Sequence, residues 1–149
     1  SKGSGNLNEF SELLGNFAPP VIRPDVVANM PANTPHRFLA WGVIPVSKRV
    51  RVSPVVEYRS GFPYAALDAA QNYAGVPNTR TFPDFFALDL RVSRDIHFRN
   101  HAFRISASVF NLTNHWNPDT VRLSVADRQF GEFLGQHPRR YRLDFDFLF

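Results

Sequence analysis

Tyr141-Arg142-Leu143-Asp144-Phe145-Asp146-Phe147-Leu148-Phe149 is the stretch that decides the fold. Successive side chains of a β-strand point to opposite faces. Tyr141, Leu143, Phe145, Phe147 and Phe149 therefore share one face, and Arg142, Asp144 and Asp146 share the other. A soluble sheet must cover such an aromatic row. A β-barrel in a bilayer requires it bare, apolar toward lipid and polar toward the lumen.

The same alternation recurs upstream. Val50, Val52, Val56 and Tyr58 oppose Arg49, Arg51, Ser53, Glu57 and Arg59, with Pro54 on the apolar side as the expected site of a bulge or a sheet edge. Phe86, Leu88, Leu90, Val92, Ile96 and Phe98 oppose Ala87, Asp89, Arg91, Ser93, Asp95 and His97. Arg94 falls on the apolar face, near the end of its strand. A tight turn at Arg99-Asn100-His101 leads to Phe103, Ile105, Ala107 and Val109, opposite Arg104, Ser106 and Ser108. Residues 37–46 form a further strand, apolar on both faces, followed by a short turn at Pro45-Val46-Ser47-Lys48.

Between these strands long and short connections take turns. Residues 1–35, 60–84 and 113–138 are long, rich in Pro, Gly and Asn, and the other connections are short. In residues 1–35, Asn8 caps an expected short helix carrying Phe10, Leu13 and Leu14 and stopping at Gly15. Long extracellular loops and short periplasmic turns are the rhythm of a transmembrane barrel, and strands of about 9–11 residues match its wall. The expected fold is all-β: an antiparallel up-and-down transmembrane β-barrel fragment of about five C-terminal strands. Residues 1–35 are read as an extracellular loop with a short helix, and 36–149 as barrel strands and loops.

Composition agrees with β-structure. Fifteen Phe, two Trp and four Tyr stand beside no Cys in 149 residues, and strands and membrane interfaces both favour aromatics. Without Cys there is no disulfide, thiolate metal site or cysteine nucleophile. No run of about 18 apolar residues reads as a spanning helix. The formal charge of +4 comes from 17 Lys+Arg against 13 Asp+Glu. Its arginines are interleaved singly with apolar residues rather than clustered, so nucleic acid is not an expected partner. The sequence begins without Met or a signal-peptide apolar region and reads as a piece of something longer.

No catalytic set emerges. The sequence has no G-x-S-x-G, no phosphate-cradling glycine loop and no H-E-x-x-H, so no enzyme activity or cofactor is expected. His97 and His101 are four apart with a turn between them, and no metal site is read from them. Asn111-Leu112-Thr113 fits a glycosylation pattern and is read as the exit of a strand, its polar side chains satisfying backbone groups. Asp89, Arg91, Asp95, Arg104, Asp144 and Asp146 are the candidate lumen-facing residues.

An ordered set of stretches carries a resemblance: Pro35-His36-Arg37-Phe38, Ser60-Gly61-Phe62-Pro63-Tyr64, Leu88-Asp89-Leu90-Arg91-Val92-Ser93, Val109-Phe110-Asn111-Leu112-Thr113-Asn114, Phe130-Gly131 and Phe149. Together they resemble the carboxy-terminal end of a TonB-dependent outer-membrane receptor, of the type with a carboxypeptidase-regulatory-like domain at its N-terminus. The resemblance covers nearly all of residues 35–149. It implies a location in the bacterial outer membrane and a 22-stranded parent barrel. The implied partners are outer-membrane lipid, the outer-membrane assembly machinery, an unidentified solute, and the TonB complex through a plug that lies outside this sequence. Tyr141, Leu143, Phe145, Phe147 and Phe149 are similar to the family's assembly signal. The alternative from a different class is a soluble or surface-attached β-sheet module that stacks a carbohydrate on Trp116, Phe62 and Tyr64.

Overall fold

A computed structural model describes residues 2–4, 27–30, 33–99 and 101–148. The helix expected after Asn8 and the aromatic end at Phe149 lie outside the described residues. Strands in chain order are β1 (Lys2–Ser4), β2 (Val27–Asn29), β3 (Arg37–Trp41), β4 (Ile44–Pro45), β5 (Val50–Arg59) and β6 (Pro63–Tyr64). They continue with β7 (Arg80–Thr81), β8 (Phe85–Phe98), β9 (His101–Phe110), β10 (Thr120–Val121), β11 (Phe133–Leu134) and β12 (Arg140–Leu148). Among the described residues the fold is all-β, its sheets are antiparallel, and no closed barrel forms.

The chain divides into two compact units. The sheet unit comprises residues 36–59, 85–117 and 136–149 and holds the order β12-β9-β8-β5-β3, with β4 also on β5. Each long strand pairs with its neighbour in sequence, so this is a simple meander. Its register keeps one parity throughout: Val52 pairs with Val92, Val92 with Ala107, and Ala107 with Leu143. A slip of one residue would send every side chain to the other face. The β8–β9 hairpin fixes that register at its tip, because Phe98 pairs directly with His101. Arg99 accordingly adopts φ 54°, the left-handed geometry that two-residue hairpin turns demand.

The strand expected over 37–46 is two strands, β3 and β4, and Pro54 supplies the reason. Trp41 pairs with Val55 and Ile44 with Val52, so three steps on one strand match three on the other and no residue is inserted. There is no bulge, and β5 is no edge, since it pairs on both sides. The Pro54 carbonyl accepts from Gly42 N (3.2 Å), which shows that the proline's missing donor also faces β3 and β4. The ladder lapses at residues 42 and 43 for want of that N–H. At the following turn, Ser47 Oγ accepts from the amides of Arg49 (3.3 Å) and Val50 (3.1 Å).

Burial in the sheet is inverted relative to a soluble protein. Tyr141, Leu143, Phe145, Phe147, Ile105, Val92, Ile96, Phe98 and Phe38 are all exposed on one face. On the other face Ser93, Ser106 and Ser108 are buried. Among the described residues, the buried apolar side chains are Ala28, Pro63, Pro77 and Val121, and none is in the sheet unit.

The second unit gathers residues 1–35 and 60–84, two of the stretches read as long loops, with 118–135 from the third, whose ends at 113–117 and 136–138 belong to the sheet unit. Hydrogen bonds join them to one another. Asn29 Nδ2 donates to Asn78 O (3.2 Å) and Asn78 Nδ2 returns the bond to Asn29 O (2.7 Å). Leu67 N donates to Leu123 O and Val125 N to Leu67 O, each at 2.8 Å. Tyr64, Phe82 and Phe133 pack edge to face or tilted at 5.2–6.0 Å between centroids. Gly61 lies against this cluster so closely that a Cβ there would stand 1.7 Å from Phe82 O. Burial pushes the Tyr73 phenol up from its ordinary value.

Candidate functional site

The polar face of the sheet is where the chain concentrates its charge. Its rungs follow from register: Asp95 stands opposite Arg104, which stands opposite Asp146. Opposite charges directly across a ladder attract. Arg104 Nε donates to Asp95 Oδ1 (2.7 Å) and Nη2 to Asp95 Oδ2 (3.3 Å), a forked pairing. Arg51 Nη2 donates to the same Oδ2 from the strand on the other side. One carboxylate thereby joins β5, β8 and β9.

A second group forms one step nearer the loop end. Arg91 reaches Asp144 (3.5 Å) and Asp146 (3.9 Å) across the intervening strand, and its Nη2 donates to Ser106 Oγ (3.1 Å). Arg142 Nε holds Asp144 at 3.1 Å. Long side chains from β8 and β12 close over β9, whose Ser106 and Ser108 are small enough to lie beneath them. Of the six residues read as lumen-facing, five (Arg91, Asp95, Arg104, Asp144 and Asp146) join these ion pairs.

Asp89, the sixth, does different work. Its Oδ1 accepts from Asn111 N (2.8 Å) where β9 leaves the ladder. Asn111 is buried at φ 51°, and its Nδ2 donates to His115 O (2.9 Å) and His137 O (2.8 Å). Its Oδ1 accepts from His115 N (3.0 Å). Six residues on, Asn117 is 1% exposed. Its Oδ1 accepts from Phe86 N (3.0 Å) and its Nδ2 donates to Phe86 O (2.8 Å). An amide side chain thus replaces the missing neighbour strand for Phe86. The Asn117 carbonyl accepts from His137 N (3.1 Å), and Asn114 Oδ1 accepts from Arg139 N (3.3 Å). Three asparagines at three-residue spacing therefore tie residues 111–117 to 137–139.

The expectation that Asn111 and Thr113 satisfy backbone groups at the strand exit understated this arrangement. Asn117 went unread; the Asn111-x-x-Asn114-x-x-Asn117 spacing was the available signal. Arg51, Arg142, Ser93, Ser106 and Ser108 were read on the polar faces of their strands but were not among the named lumen-facing candidates. They alternate on the polar side like its other members, but only the register says which charges meet.

Of the loop aromatics, Tyr64 and Phe62 belong to the loop unit and Trp116 to the sheet unit. Tyr64 spends its ring on Phe82 and Phe133, while Trp116 is exposed. Tyr141, Leu143, Phe145 and Phe147 form one exposed row on β12, where Phe103 packs against Phe145 (5.5 Å) and Phe147 (5.0 Å). No group of three or more His, Cys, Asp or Glu with metal-holding geometry occurs among the described residues. No helix among them is long and apolar enough to cross a membrane, which says nothing of a β-barrel.

No family model matches the chain, and neither a curated protein nor a solved structure matches it.

Proposed function

We propose that the chain is part of the wall of an outer-membrane β-barrel, the carboxy-terminal part of a TonB-dependent receptor that imports a solute. The observation that carries this reading is the inverted burial of the sheet. Large side chains of one parity are exposed along β12 and at Ile105, Val92, Ile96, Phe98 and Phe38, with half-buried ones of the same parity between them, while buried serines and paired charges occupy the other parity. Burying apolar surface is worth roughly 25 cal/mol per Å², so a row of such residues left in water forgoes a large driving force. Lipid removes that cost, and a polar lumen suits the charged face.

Three further features support it. The long connections all leave the sheet at the end marked by the Arg59–Phe85 and Arg140–Phe110 pairs, and the short ones at the other. Arg94, the one charge on the apolar face of β8, pairs with Val50 at the turn end, where an interface would spare it the mid-bilayer cost of about 2–4 kcal/mol. The sheet also has two open edges, β3 and β12, and exposed edges of this kind call for further strands. In this reading the long loops face outside, and the β12 aromatics with Phe149 serve the assembly machinery.

Partition tests the reading. The full-length product is expected in the outer-membrane fraction and to need detergent for extraction. Recovery in the soluble fraction without detergent contradicts it and favours the soluble binding module.

A further inference from the structure

We propose that the turn end of the sheet unit binds the headgroup of an anionic phospholipid, in the notch where the β4–β5 turn stops short of the β8–β9 hairpin. The inference rests on the barrel reading above and names the lipid class that the wall meets at this end.

Register makes the notch. Val50, the first residue of β5, pairs with Arg94, and the Asp95 amide donates to Arg49 O at 2.9 Å. Beyond them β5 has turned away, while β8 and β9 stay paired as far as Phe98 and His101. Backbone groups along a strand point to alternate sides, so the His97 N–H faces the same side as the Asp95 N–H. No strand lies there to accept from it among the described residues.

Charge selects the occupant. Lys48 and Arg49 lie in the β4–β5 turn and Arg94 on the bare face beside it, and all are exposed. Their side chains make no ion pair, hydrogen bond or ring contact among the described residues. Residues 44–50 and 96–102 contain no Asp or Glu. The adjacent carboxylate, Asp95, faces the other side of the sheet, where Arg104 and Arg51 hold it. Cations gathered at the edge of an apolar surface attract a membrane of net negative headgroups. The apolar part of the site selects a lipid over a free anion. Ile105 beside Arg94, and Ile44 and Val92 one rung toward the loop end, are exposed on the same face, where acyl chains would lie. The long aliphatic stem of Arg94 can rest on that surface while its guanidinium reaches the headgroup.

The test uses the full-length protein reconstituted in phosphatidylcholine vesicles, with spin-labelled phosphatidylglycerol and spin-labelled phosphatidylcholine as probes. Preferential immobilisation of phosphatidylglycerol is expected. Arg94→Gln and Lys48→Gln should each lower that preference, by up to about fivefold. Lys48 lies in an exposed turn, so its variant reports on binding even if the Arg94 variant assembles poorly. Arg139→Gln, at the loop end of the sheet, is expected to leave the preference unchanged. Equal immobilisation of the two lipids, or a preference indifferent to both glutamine variants, overturns the proposal and leaves the barrel standing. No immobilised component from either lipid contradicts the barrel reading, and this proposal with it.

Discussion

Leu143 and Ser106 sit on adjoining strands, one register step apart and on opposite faces, and their burial is reversed from that of a soluble sheet: Leu143 is 80% exposed and Ser106 is 0% exposed. Size explains the serine. Arg91 and Asp144 close above it, and Arg91 donates to its hydroxyl, so a small polar residue fills the floor of an ion-pair layer. Ser106→Leu is expected to destabilise the protein by about 1–3 kcal/mol through overpacking. Ser106→Ala is expected to cost less, and denaturant midpoints of the two variants compare them directly.

The two faces of β8 make a paired prediction. Leu90 lies on the bare face between Pro54 and Val109, and Arg91 lies on the charged face with Asp144 and Asp146. Leu90→Arg is expected to lower outer-membrane assembly, at a cost of about 2–4 kcal/mol if the site is near the bilayer midplane. Arg91→Leu should lower it less. Equal levels of the two variants in purified outer membranes would show that the faces are not lipid and lumen.

Asn117 offers a local test. Replacing it with Ala removes both bonds to the Phe86 backbone and leaves a half-buried N–H and C=O without that partner, at up to about 1–3 kcal/mol for each orphaned group. Hydrogen exchange at the Phe86 amide should accelerate in this variant while exchange at Val92 stays slow. Unchanged protection of Phe86 would mean that the asparagine is not its partner.

Gly61→Ala probes the loop unit. A methyl group 1.7 Å from Phe82 O forces that backbone apart and loosens the contact between residues 60–84 and 118–135. Limited proteolysis should cut these loops faster, while the sheet unit survives. Wild-type cleavage rates would show that the loop unit tolerates the displacement.

Deletion of Phe149 from the full-length protein is expected to lower its surface level without altering any ligand site. Immunoblots of outer-membrane fractions measure this, and normal levels would refute a role in assembly.

Much of this sheet was legible because period-two alternation is local. Val50 to Tyr58, Phe86 to Phe98 and Phe103 to Val109 each announce their face without reference to a partner, and the register joins those faces as read. What stayed hidden depends on contacts far apart in sequence. Arg37–Val46 is apolar on both sides, so alternation could not reveal that Pro54, on another strand, interrupts it. The cooperation of Asn111 with His137, and of Asn117 with Phe86, likewise spans distances of 26 and 31 residues. The loops showed where regular structure stops, but not that Asn29 and Asn78, or Leu67 and Leu123, would join them into one unit.

These 149 residues contain no cysteine, so labels can be placed on β12 once any cysteine elsewhere in the full-length protein is replaced. Single cysteines placed one at a time from residue 140 to residue 147 of the full-length protein can carry a nitroxide label, and its collision rates with oxygen and with a water-soluble nickel chelate can be read in lipid vesicles. Oxygen access is predicted to peak at Tyr141, Leu143, Phe145 and Phe147, and chelate access at Arg142, Asp144 and Asp146. Chelate access as high at Leu143 and Phe145 as at Asp144, or no period of two, would contradict a lipid-facing wall.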